Sequence, residues 1–311
     1  MESRTIETEN RQDSLIKAMA GDDGIRITAV SSRNLVAEAQ RIHSLSRVAT
    51  AALGRMLSMT AILSSDLKNS TDRLSAILKG GGPGGNLVTT GLPNLDVKGT
   101  VGNPTLELPP NEKGKLDVSG FVGKEGQLTV VRDLSLKEPY VGSSPIVSGE
   151  IAEDFANYLL TSQQEPSIVY LGVRVSVEDG TVLAAGGVVA EPMPGCQDSL
   201  IDRLAGTADR IGTLAKRLET GEELKDVILD IFREFEPRIL SEAVPHYRCD
   251  CSRERIEKAL ISVGKEELTS MIEEDHGAEV KCHFCNAVYR FSEAELKMLL
   301  YRATGGKPDA E

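Results

Sequence analysis

Residues 246–260, HYRCDCSRERIEKAL, and residues 280–291, VKCHFCNAVYRF, carry four of the five cysteines in this 311-residue chain. Cys249 and Cys251 are spaced C-x-C, and Cys282 and Cys285 follow as C-x-x-C, 31 residues after Cys251. Two close pairs in separate segments allow a zinc knot, a pair of disulfides, or the two in alternation. A tetrahedral zinc site takes four ligands with Zn–S bonds of about 2.3 Å, and two such pairs supply them compactly. C-x-x-C on a tight turn is the usual half-site. C-x-C is rarer, yet an extended or turning backbone still lets both thiolates face one ion. Ile256, Leu260, Leu268, Met271, Ile272, Tyr289, Leu296 and Leu299 are too few apolar residues to secure this tail alone. The spacing therefore predicts one Zn²⁺ per chain, held by Cys249, Cys251, Cys282 and Cys285 and acting as a folding tie.

Other residues near the cluster read more plainly. His246, His276 and His283 are expected at the surface, since four thiols already complete a site. His43 lies on an apolar helical stretch and reads as a satisfied or half-buried histidine. Cys196, beside Gly195 at a segment edge, reads as a lone thiol.

A four-cysteine module often serves nucleic acid, but here the charge opposes it. Residues 247–311 hold ten Lys/Arg against thirteen Asp/Glu, and four thiolates around Zn²⁺ would add two further negative charges; a phosphate-binding ribbon should be basic. The whole chain carries a net charge of −12 with an isoelectric point near 5.0, has no tryptophan and is only 4% aromatic. Neither a polyanion partner nor a base-stacking surface is indicated. A thioredoxin-like C-x-x-C would open a helix after a strand, whereas this one falls in an expected hairpin knuckle. KGGGPGGN at 79–86 lacks the G-K-[ST] ending of a phosphate loop and reads as a flexible turn. No paired carboxylates or Ser-His-Asp set stands out, so no enzyme is expected.

With 40% hydrophobic and 26% charged residues the composition is that of an ordinary globular protein. No apolar run approaches a membrane span, and the polar start, MESRTIETENRQDSLIKAM, has no apolar h-region. The expectation is a cytoplasmic chain, where clustered cysteines more often bind metal or sense redox state than form lasting disulfides.

Along the chain, residues 1 to about 12 read as a polar, disordered start. GIRITAV (24–30) alternates as a strand, and residues 34–67 read as helix, broken near 44–46. GNLVTTGL, DVKGTVG, KLDVSGFVG and GQLTVVRDL then read as short strands, with GKEG (123–126) a hairpin turn between two of them. Residues 148–163 return to helical spacing with Ser148 as N-cap, and 167–191 form a hairpin about Asp179-Gly180. The fold class is thus α+β: a mostly antiparallel sheet domain over 1–192 with helices on one face, a helical connector over 193–245, and a cysteine module over 246–311. The connector has apolar stripes but eleven acids and seven bases between 197 and 246, so it is expected to be stable only when docked on the sheet domain and restrained by the module. FSEAELKMLLYRA ends the module with a Ser292/Glu295 capping box.

Taken together, GRMLSMTAIL, KGGGPGGNL, KGTVGNP, EPYVGSSPIVSGEIAEDFANYLLTSQQEPS, GVVAEPMPG and the two cysteine pairs resemble the redox-regulated bacterial heat-shock holdases, the HslO chaperonin family. The resemblance covers all but the first dozen and last few residues, with no departure at the four cysteines. It implies an ATP-independent chaperone for unfolding proteins under oxidative and heat stress, inactive when reduced and zinc-bound. It further implies an oxidised active state with disulfides Cys249–Cys251 and Cys282–Cys285, a metastable linker at 193–245, and a homodimer formed through the N-terminal domain. The alternative from another class is a constitutive zinc-ribbon binding module associated with the ribosome or RNA; a thiol-disulfide oxidoreductase is a third.

Overall fold

Strand alternation and one almost fully buried helix organise the larger part of the chain. The computed structural model describes residues 11–303, so most of the expected disordered start lies outside the described residues. The chain divides into two units, Met1–Arg248 and Cys249–Glu311.

In the first unit, strands β1 (Ser14–Ala20), β2 (Ile25–Ser31), β8 (Ile168–Val175), β9 (Val182–Pro192) and β10 (Arg238–Ala243) form a sheet in the order β10-β1-β2-β9-β8, all antiparallel. A second sheet, β11-β5-β4-β3-β6-β7, is built from β3 (Arg73–Lys79), β4 (Leu87–Gly91), β5 (Asp96–Val101), β6 (Gln127–Asp133), β7 (Tyr140–Pro145) and β11 (His246–Tyr247). Its one parallel pair is β11 with β5.

Helix α1 (Arg33–His43) ends at Ser44, which takes a left-handed conformation. Ser46 then caps α2 (Arg47–Ser64) by accepting from the Ala49 amide at 3.2 Å. Every residue of α2 except Arg47 and Arg55 is buried, because it touches strands of both sheets. A helix of mostly small and apolar residues is stable in such a place, and the buried hydroxyls of Thr50, Ser58 and Thr60 are hydrogen-bonded there. Small residues let it fit: a methyl at Gly54 would lie 2.9 Å from Val36 and Val173.

The first sheet is covered on both faces, by α2 on one and on the other by the connector, which the sequence reading expected to dock on the sheet domain. Four helices, α5 (Asp198–Ala205), α6 (Ala208–Ile211), α7 (Leu214–Glu219) and α8 (Leu224–Ile231), follow β9. Their Leu204, Ile211, Leu214, Val227 and Ile231 pack with Ile16, Ile25, Ile27 and Val188 of the sheet. Burial on both faces accounts for Ile27, Thr28, Ala29 and Val30 of β2 being buried in succession, although the sequence IRITAV alternates.

Several local readings are corrected. KLDVSGFVG is not a strand: Asp117 accepts from the Gly120 amide at 2.8 Å and starts a short helix, α3 (Val118–Val122). GKEG consequently joins a helix to β6 instead of two strands. The glycine run before β4 is set by close approach, since a methyl at Gly80 or Gly82 would overlap the Val122 backbone. The helix expected from Ser148 starts later, as α4 (Ala152–Tyr158), and continues as a wide π turn over Leu159–Gln163. Its start is organised by buried Asp154, which accepts from the amides of Val147, Ser148, Gly149 and Ile151 at 2.8, 3.0, 3.3 and 2.9 Å. Arg11 and Gln12 are described; the Arg11 carbonyl accepts from the Asn34 side chain at 2.6 Å.

The second unit comprises α9 (Arg253–Val263), α10 (Lys265–Glu273), a hairpin of β12 (Gly277–Lys281) and β13 (Val288–Ser292), and α11 (Glu293–Ala303). Its core consists of Leu260, Leu268, Ile272, Phe291, Leu296 and Leu299. The Ser292/Glu295 capping box is present: the Ser292 amide donates to Glu295 at 2.8 Å, and the Glu295 amide to Ser292 Oγ at 3.4 Å.

Candidate metal centre

Two local devices bring the cysteine pairs together. Cys282 and Cys285 sit in the turn of the β12–β13 hairpin, where the Cys282 amide donates to Ala287 O and the Asn286 amide to Cys282 O, each at 2.9 Å. Asn286 adopts a left-handed φ of 60° to close this knuckle, a conformation asparagine tolerates. Cys249 and Cys251 precede α9, whose N-cap Ser252 accepts from the Arg255 amide at 3.3 Å. Arg253 ties the start of α9 to the hairpin. It donates to Arg290 O at 3.0 Å and to Glu295 at 2.6 Å, and its guanidinium lies 4.3 Å from the centre of the Phe291 ring.

The four sulfurs lie within 4.8 Å of one another, with Cys249 Sγ 3.7 Å from Cys282 Sγ and Cys251 Sγ 3.3 Å from Cys285 Sγ. Four thiolates at 2.3 Å from one ion would have sulfur–sulfur edges of about 3.8 Å. The donor set and its spacing therefore fit a tetrahedral thiophilic cation. Cys282 is buried and the other three are half-buried.

The thiols are electrically unequal. Burial raises the Cys251 thiol, but hydrogen bonds from Tyr289 and the neighbouring cysteines outweigh it and leave the thiol below its usual range. Burial, reinforced by Cys251 and Cys282 and opposed by the Ala287 amide, pushes Cys285 up to about 11. Tyr289, whose hydroxyl donates to Cys251 Sγ at 3.1 Å, is pushed up to about 12, chiefly by that bond. A metal at this position would displace the thiol protons on binding.

The model of the family described as Hsp33 protein matches residues 13–292. The chain belongs to the Hsp33 family. It is 43% identical over 289 residues to the 33 kDa chaperonin of Clostridium botulinum, covering 93% of this chain and 97% of that one. It is 41% identical over 289 residues to the 33 kDa chaperonin of Clostridioides difficile, covering 93% and 99%. The crystal structure of the 33 kDa chaperonin of Thermotoga maritima superposes with a TM-score of 0.83 at 37% identity, over 95% of this chain and all of that one. An Hsp33 chain is a chaperone, and its cysteine cluster suits both zinc and redox chemistry.

In this Hsp33 chain the cysteines gather without a histidine, and they form the only such group among the described residues. His246 lies on β11 in the first unit. His276 is exposed beside Glu293 at 3.4 Å, and His283 is exposed in the knuckle. His43 Nε2 is 3.0 Å from Tyr247 Oη, half-buried and partnered. Cys196 lies in the first unit before α5, its thiol 3.7 Å from Gln197 O. The sequence reading missed Tyr289 as a neighbour of the sulfurs. Its signal was the period-2 step that places Tyr289 and buried Phe291 on one face of β13. No helix among the described residues is long and apolar enough to cross a membrane.

Proposed function

We propose that this chain is a redox-switched, ATP-independent holdase. Cys249, Cys251, Cys282 and Cys285 hold one Zn²⁺ in the reduced, inactive state; oxidation to disulfides Cys249–Cys251 and Cys282–Cys285 releases it. The observation that carries this reading is the convergence of four sulfurs within 4.8 Å in a unit whose apolar core is only six residues. Such a core leaves the metal as the main tie between the α9 end and the hairpin. Disulfides formed within each pair no longer join the two segments. The module loosens, a restraint on residues 193–245 is lost, and apolar surface that binds unfolding proteins is uncovered. The C-x-C ring is small and strained, so its disulfide is readily reduced and the switch reverses. In this reading the domains are 1–192, 193–245 and 246–311, and the active form is a homodimer in the cytoplasm.

A second pairing has its own support, because the close approaches of Cys249 to Cys282 at 3.7 Å and of Cys251 to Cys285 at 3.3 Å run between the segments. Crossed disulfides would keep the module tied and would not switch it. The deciding experiment follows zinc release and suppression of client aggregation together, before and after hydrogen peroxide, with peptide mapping of the oxidised chain. Suppression that is equal with zinc bound, or crossed disulfides in the active chain, contradicts the switch.

A further inference from the structure

Tyr289 stands in a place that a purely structural tyrosine does not need. It is the second residue of β13, paired with Val280, and its ring packs partly on the small core of the second unit. Its hydroxyl donates to Cys251 Sγ, 3.1 Å away. Cys251 Sγ is in turn 3.3 Å from Cys285 Sγ. The Cys251 sulfur thus meets the hairpin at two atoms, a sulfur of the knuckle and a hydroxyl of the strand.

We infer that Tyr289 is a positioning residue for the metal centre: its O–H donates to the Cys251 thiolate, fixes that sulfur in the cluster and makes it slow to react with electrophiles. This rests on the reading that the four cysteines hold zinc. A hydrogen bond to a thiolate draws electron density from the sulfur, and sulfur nucleophilicity falls as its basicity falls. The same bond fixes the ligand's orientation, as partners just outside a coordination shell commonly do, with losses of about 10- to 100-fold in metal affinity when they are removed. Cys251 is thereby set apart from its neighbour Cys249 across Asp250, although both belong to one C-x-C.

The test uses the full chain loaded with zinc, alongside Tyr289→Phe and a chain with 3-fluorotyrosine at position 289. Two quantities are measured: zinc affinity by chelator competition, and the rate of iodoacetamide alkylation at each cysteine by peptide mass analysis. Tyr289→Phe is expected to lose about 10-fold in zinc affinity and to alkylate faster at Cys251, by about threefold or more, with Cys249 little changed. Fluorotyrosine is a stronger donor of similar shape, so it should slow Cys251 below the wild-type rate; a tyrosine that merely packs would give no such grading. A wild-type chain that takes up no zinc overturns the metal reading and this proposal with it. A zinc-loaded wild type whose Phe and fluorotyrosine forms match it in affinity and alkylation overturns this proposal alone.

Discussion

The first unit encloses α2 between two sheets and closes the outer face of one sheet with four helices. The second unit has six buried core residues and a cluster of sulfurs. In the first, apolar burial alone offsets the ordering cost, and no single contact decides the outcome. In the second, burial falls short, so whatever joins the sulfurs decides whether the unit is folded. A chain built this way can lose one unit and keep the other.

The sharpest way to break that contrast is to remove the sulfur tie. Stripping zinc with a chelator, or making Cys282→Ser with Cys285→Ser, should unfold the second unit and leave the first intact, since structural zinc contributes on the order of 10 kcal/mol. Circular dichroism with limited proteolysis reads this, and a protease-resistant tail would contradict it. Next comes the helical cover of the first sheet. Ile231 and Phe235 are 1% and 2% exposed, so Ile231→Asp with Phe235→Asp buries charge and should cost about 4 kcal/mol or more per site. Light scattering of an aggregating client should then show suppression in the reduced, zinc-loaded chain. A silent double mutant would sink the view that these helices mask the binding surface.

A smaller effect lies at Asp13, which accepts from the Asn34 and Leu35 amides at 3.0 and 2.7 Å. Burial raises its carboxyl to about 6, against the opposing pull of those amides and Arg33. The folded chain therefore holds this proton more tightly than the unfolded chain. The associated stability is full below about pH 4 and lost as pH rises through about 6, a change of about 3 kcal/mol. Denaturant titrations of wild type and Asp13→Asn should differ in slope across that window, and equal slopes would remove Asp13 as the cause. The smallest effect is expected at Cys196, outside the cluster: Cys196→Ser should stay within about 0.5 kcal/mol of wild type, with unchanged zinc content and unchanged response to peroxide. A loss of zinc there would mean that the ligand set is wrong.

The cysteine cluster was legible because its spacing is local and thiols have few other uses in such a chain. Tyr289 was not, because its role depends on a hairpin register that brings a strand residue to a sulfur 38 positions earlier. The α1–α2 break and the β8–β9 hairpin were readable from Ser44–Ser46 and Asp179-Gly180, where side chains and positive φ act within a few residues. β1 was missed: SLIKAMA has the composition of a helix, and its strand state comes from pairing with β2 on one side and β10 on the other. β10 itself, RILSEA, is exposed along nearly its whole length and gives no alternation to read. Arg73–Lys79 did carry a signal, with Leu74, Ala76 and Leu78 buried in alternation, but it was passed over. At Val118–Val122 a single carboxylate at Asp117 turned an apparent strand into a helix, a local competition that hydrophobic pattern does not register.

The order of strands in the first sheet has a cost that falls during synthesis. β2 is finished early on the ribosome, yet its partner β9 begins at Val182, and the outer edge of β1 waits for Arg238. At a typical 5–20 residues per second, that is on the order of ten seconds or more with open strand edges and unpaired amides. Pairings between such distant residues also close slowly once the chain is free. A nascent chain of this chaperone is therefore, for that interval, the kind of sticky, half-made polypeptide that chaperones exist to hold.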